Sequence, residues 1–220
     1  MKYKRVTLFA GHYGSGKTNV AVNYALKMSA EGRKVVIADL DIVNPYFRTK
    51  DSAEELQKAG VRLISSEYAN TNVDMPALPQ DMYSITDDKS EYAVLDIGGD
   101  DRGAYALGRY AAAIKTENDY EMLFVVNCFR PLTKTVADTL EVMREIETAC
   151  SMKFTAIVNN SNLGEETQAE DVINSMAYAE ELSRATGLPI KMTAVKEELY
   201  DEIRSSAGDV LPMKLQKKIN

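Results

Sequence analysis

Gly11, Gly14, Gly16, Lys17 and Thr18 stand in the spacing G-x-x-x-x-G-K-T, ten residues into a chain of 220. Three glycines in six positions let the backbone turn where a Cβ would clash, so that successive N–H groups face one point. Converging amides at the positive end of a helix hold a di- or triphosphate. A lysine placed as Lys17 is then bridges the β- and γ-phosphates, and a hydroxyl placed as Thr18 is ligates Mg²⁺. His12, Tyr13 and Ser15 complete the loop and line the same phosphates. Three more acids fall where apolar runs end: Asp39 and Asp41 after Val35–Ala38, and Asp96 after Tyr92–Leu95, with Gly98 and Gly99 just beyond it. Asp96 suits Mg²⁺ held through water, and the Gly99 N–H suits a γ-phosphate. A carboxylate at Asp39 or Asp41 suits orienting an attacking water or a Mg²⁺-bound one. Together these groups can bind a nucleotide with Mg²⁺ and cleave or transfer its terminal phosphoryl group.

Such residues act only if secondary structure brings them to one place. Residues 4–10 read as a buried strand, and 18–30 as a helix closed near Gly32. Residues 34–38 form a second strand. A loop over 42–50 follows, in which Pro45 keeps Asn44 out of helix. A short helix over 53–59, stopped by Gly60, and a short strand over 61–65 come next. Residues 66–88 turn polar, carry Pro76 and Pro79, and read as an irregular connection. Strands are then expected at 91–95, 122–126, 154–158 and, more weakly, 189–195. Helices are expected at 103–116, 133–149, 167–186 and 196–205, before a polar tail. Continuous apolar strands alternating with helices mean an α/β fold in three layers. About seven mostly parallel strands with helices on both faces are expected, in a single domain over residues 1–220. In such sheets ligands bind beyond the strand C-terminal ends, where the polar clusters of this chain lie.

Composition narrows the context. The net charge of −7 argues against non-specific nucleic-acid binding. No apolar run approaches the ~18 residues of a membrane span, and the basic N-terminus lacks a secretory apolar segment. Cys128 and Cys150 have no metal-ligand spacing and read as buried, reduced thiols of a cytoplasmic protein. Residues 211–220 mix Lys214, Lys217 and Lys218 with apolar residues, but Pro212 breaks the run, so a solvated tail is expected rather than a stable membrane anchor.

The glycine loop, the strand ending Asp39-Leu40-Asp41 and the segment Asp96-Ile97-Gly98-Gly99 together resemble the deviant-Walker-A P-loop ATPases. That superfamily holds the MinD/ParA-like cell-division and plasmid-partition ATPases, the nitrogenase iron protein and the CobQ/CobB-type nucleotide-binding domain. The resemblance implies ATP and Mg²⁺ as ligands, with Lys17 and Thr18 on the phosphates and metal and Asp41 as the water-activating aspartate. It implies adenine recognition by Asn159 or Asn160. A guanine-reading N-K-x-D is absent, since the chain reads Asn159-Asn160-Ser161-Asn162. It further implies an ATPase that switches a protein partner, with a nucleotide-dependent homodimer. The alternative is a small-molecule ligase or phosphotransferase of the dethiobiotin synthetase and cobyrinate amidation type. One departure is plain: many members carry a second lysine early in the loop that reaches across the dimer, and His12 stands near that position here. Imidazole is shorter than lysine and largely neutral at pH 7. Arg48, Arg102 and Arg130 each lie near a strand-end loop and are the candidate substitutes. Tyr46 and Phe47 fall in the expected switch segment.

Overall fold

The computed structural model describes residues 1–40, 49–65, 80–98 and 101–215, without the side chains of 50, 51, 80, 101–106 and 109. Its strands are β1 (Val6–Ala10), β2 (Val35–Leu40), β3 (Arg62–Ile64), β4 (Tyr92–Ile97), β5 (Tyr120–Val126), β6 (Ala156–Asn159), β7 (Ile190–Lys196) and β8 (Val210–Met213). They form one sheet in the order β3-β2-β4-β1-β5-β6-β7-β8, and every neighbouring pair is parallel. The helices are α1 (Lys17–Ala30), α2 (Ala53–Lys58), α3 (Ser84–Asp87), α4 (Asp101–Glu117), α5 (Val136–Cys150), α6 (Ala169–Thr186) and α7 (Tyr200–Ile203).

The central strands read as unbroken apolar runs because both of their faces are covered. Phe9, Ile37, Val94 and Leu123 pack on one face with Val20, Tyr24 and Met28 of α1 and Leu56 of α2. Leu8, Ala38, Leu95 and Phe124 pack on the other with Leu107 and Ile114 of α4, Ile146 of α5 and Leu182 of α6. The N-terminal edge of the sheet is held by buried polar contacts. Arg5 meets Glu117 and the carbonyls of Ile85 and Glu91, while Glu121 accepts from Thr7, Tyr24 and Lys191. Burial, with Glu121 beside it, pushes the Tyr24 phenol well above its ordinary value.

Helices α5 and α6 begin on side-chain contacts, and α1 does not. Thr135 accepts from the Asp138 amide to start α5, and Asp171 accepts from the Gln168 amide to start α6. Gly187, at φ 72°, closes α6. Helix α1 has no side-chain cap: it starts from Gly16 in the left-handed region, which leaves its first amides open.

Several expectations change. The sheet has eight strands rather than about seven, because residues 210–213 are strand rather than solvated tail, with Leu211 and Met213 buried. Proline is tolerated there because β8 is the edge. The helix expected over 196–205 is a 3₁₀ turn followed by the four residues of α7. Residues 80–87 are helical where an irregular connection was expected, since Met82 and Ile85 plug into the core. Cys150 is buried, and burial pushes its thiol up to about 12, but Cys128 is only half-buried.

Candidate functional site

The glycine loop closes on itself through the Ser15 amide, which donates to the His12 carbonyl at 3.0 Å. Gly14 and Gly16 sit at φ 78° and 80°, a region that costs an L-residue strain. A Cβ on Gly11 would stand 2.3 Å from the Val125 carbonyl, so β1 and β5 approach too closely there for any side chain. Among the described residues no acceptor meets the amides of Gly14, Gly16 or Thr18. These amides and the uncapped start of α1 make a cradle of donors with the electrostatics of an anion site. Lys17 is 3% exposed and Thr18 5%. A lysine that deep beside open amides fits a ligand of high negative charge. The Ser15 hydroxyl is buried without a hydrogen-bond partner among the described residues and stands 2.9 Å from where a Cβ on Gly11 would be.

Asp39 and Asp96 are register partners on β2 and β4, and Phe9 of β1 is the next in the same row. Parallel register partners point the same way, and Phe9 packs on the α1 face, so both carboxylates lie on the face where Lys17 and Thr18 begin α1. Asp96 is fully buried, half-buried Asp39 lies at its side, and the buried Thr49 hydroxyl donates to Asp96 Oδ2 at 3.1 Å. Thr49 was not anticipated from sequence; a lone threonine after a polar loop carries no local signal. Asp41, Gly99, Arg48 and the pair Tyr46 and Phe47 lie outside the described residues, as does the side chain of Arg102. Thr18 and Asp96 can hold Mg²⁺ between the cradle and the acid row. No group of three acidic, His or Cys side chains that could hold a metal ion is present among the described residues.

Asn159 and Asn160 follow one another at the end of β6, and both are buried. Asn159 donates to Ser175 Oγ at 2.9 Å and accepts from the Ser161 amide. Asn160 donates to the Ser15 carbonyl at 2.7 Å, and its Nδ2 would lie 2.4 Å from a Cβ on Gly16. Both amides are thus engaged within the protein, and Asn160 braces the glycine loop. Asn127, which sequence reading placed at a strand end but gave no site role, directly follows β5. It accepts from the Phe129 amide and donates to the Asn162 carbonyl, fixing the loop after β5 against the loop after β6. Its signal was the polar residue closing an apolar run. In the glycine loop, His12 Nδ1 donates to the Tyr13 carbonyl at 2.8 Å, and the Tyr13 side chain is exposed. Arg130 reaches over from the β5 side, its Nε donating to the Gly14 carbonyl at 2.9 Å.

No protein-family profile and no curated protein matches the chain. Solved structures do. The cell division protein FtsY from Thermotoga maritima superposes with a TM-score of 0.61 at 19% identity, over 87% of this chain and 62% of that one. The signal recognition particle receptor FtsY from Elizabethkingia anophelis in complex with GDP gives 0.52 at 18%, over 91% and 60%. The signal recognition particle 54 kDa protein from Aeropyrum pernix in complex with GDP gives 0.51 at 17%, over 87% and 41%. The chain therefore spans less than two thirds of these relatives in structure. At such identities the likeness shows the fold, which is that of the P-loop NTPases.

Proposed function

We propose that the chain is a Mg²⁺-dependent ATP-binding protein and ATPase that works as a nucleotide-driven switch on a partner. The observation that carries this reading is the uncapped start of α1: open amides at Gly14, Gly16 and Thr18, with Lys17 and Thr18 on the same face as the Asp39–Asp96 row. In this reading Gly11, His12, Tyr13, Gly14, Ser15 and Gly16 wrap the phosphates and Lys17 bridges the β- and γ-phosphates. Thr18 and Asp96 hold the metal, which would neutralise charge on the β- and γ-oxygens. Asp41, with Asp39 as the second candidate, orients the water and helps hold the metal, and the Gly99 amide meets the γ-phosphate. The nucleotide-binding unit runs over residues 1–220 and works in the cytoplasm on a protein or small-molecule partner rather than on nucleic acid.

ATP is preferred to GTP because the β6 end offers no acidic side chain at the guanine-reading position. The base is proposed to lie beside residues 159–163. Asn159 and Asn160 were the expected readers, but we give Asn160 first to the loop it braces. Two of the structural relatives hold GDP, so a guanine nucleotide is the second reading and enters the same test. MgATP at a hundred times its Kd should add about 2.7 kcal/mol to stability, raising Tm by roughly 5–10 °C. Lys17→Ala should remove that shift and keep the fold. Asp41→Ala should bind ATP and lose turnover, because orienting water acts on the transition state. A shift with MgGTP alone would replace ATP, an unchanged shift in Lys17→Ala would end the assignment, and turnover only with an added carboxylate substrate would favour the ligase alternative.

A further inference from the structure

The glycine loop carries one cation of its own, Lys17, while its second residue is a histidine whose Nδ1 is turned to the Tyr13 carbonyl. A triphosphate that sheds its terminal group develops charge on both the departing phosphoryl and the bridging oxygen, more than one lysine and one metal meet on every side. Arg130 lies over the glycine loop at Gly14. Its Nε donates to the Gly14 carbonyl, and its Cδ and Nε pass within 3.9 Å of where a Gly14 Cβ would be. Among the described residues no acceptor meets its terminal amines and no carboxylate pairs with it.

The segment that carries Arg130 is fixed from several sides. The Arg130 amide donates to the Asn127 carbonyl, the Thr133 amide donates to the Arg130 carbonyl, and Pro131 follows. The Cys128 amide donates to Ser161 Oγ, and Asn127 ties the turn to Asn162. An exposed arginine normally samples many rotamers at an entropic cost to any one of them. Here the backbone is held and one nitrogen of the planar fork is anchored, which lowers that cost.

The geometry points to Arg130 as the second cation of the site: a guanidinium that acts in cis on the terminal phosphate of the nucleotide held by its own loop. The inference rests on the nucleotide reading above. In the step it assists, a water oxygen forms a bond to the γ-phosphorus and the bond from that phosphorus to the bridging oxygen breaks. The electron pair leaves with the nucleoside diphosphate, and the water proton passes to the released phosphate. Arg130 meets the charge gathering on the γ- and bridging oxygens; it takes no proton, since guanidinium stays charged. Arg130 is folded back onto Gly14 of its own chain.

The test compares ATP and ADP binding with turnover in wild type, Arg130→Ala and Arg130→Lys. Arg130→Ala should leave ADP affinity within about twofold, weaken ATP roughly tenfold, and lower kcat at least about a hundredfold. Arg130→Lys should recover part of the ATP preference. Mixing Arg130→Ala with Lys17→Ala chains should restore no turnover. Equal weakening of ATP and ADP would reduce Arg130 to a brace of the loop and overturn the proposal, as would unchanged turnover. Recovery in the mixture would overturn the cis assignment. Failure of the wild-type chain to bind either nucleotide would fell the nucleotide reading itself, a result distinct from all of these.

Discussion

Gly16 carries three demands at once: a left-handed backbone, an open helix start and room for the Asn160 amide. The first two were legible in the spacing of the glycines. The third was not, because Asn160 lies 145 residues from Ser15, whose carbonyl it meets, and the pattern around it showed only a strand end. Gly16→Ala should therefore fail in two ways, by strain and by displacing Asn160 from the Ser15 carbonyl. The expected result is loss of the MgATP thermal shift with a cost of about 1–3 kcal/mol in the apo protein, read by calorimetry with and without nucleotide. An intact shift would show that the loop does not need this geometry to hold phosphate. Asp96 and Lys17 were legible for the same reason as the glycines, since each stands at a fixed offset from a strand or loop. Thr49 and Asn127 act through contacts that no short pattern records.

Elements buried on both faces were the easiest to read, and elements at the edge were the hardest. Strands β1, β2, β4, β5 and β6 are continuous apolar runs because helices cover both sides, and the order of elements along the chain followed from them. Strand β8 hid behind Pro212 and the lysines after it, features that suit an edge as well as a tail. It is part of the core all the same: Leu211 is 0% exposed. Beyond it, Asn23 of α1 holds the Lys214 backbone twice, accepting from its amide at 2.9 Å and donating to its carbonyl at 3.1 Å. Leu211→Ala should cost about 2–5 kcal/mol and lower Tm by roughly 5–15 °C, by thermal melting. A change below ~1 kcal/mol would return residues 210–213 to the status of a solvated tail.

At the scale of the whole molecule, the sheet gathers the candidate groups at the C-terminal ends of β1, β2, β4, β5 and β6, the edge where such folds bind ligands. The partner proposed for that edge is a second copy of the chain, with a different protein or a small substrate as the competing occupants. Asp41→Ala held with MgATP should sediment as a dimer and revert to monomer with MgADP, since the γ-phosphate is what the closed state would gain. A monomer in both states would shift the proposal to another protein or a substrate. The strand order has one more effect, on how the molecule comes into being. Strand β1 lies between β4 and β5, so Val6 finds its neighbours only in Ala93 and Tyr120. During synthesis the glycine loop leaves the ribosome long before either strand that will hold it, and pairings at such separation form slowly. The first ninety or so residues are thus a chain waiting for its centre, with apolar β1 and β2 uncovered and no cradle yet for a phosphate. Nucleotide can select the finished sheet but cannot help to start it.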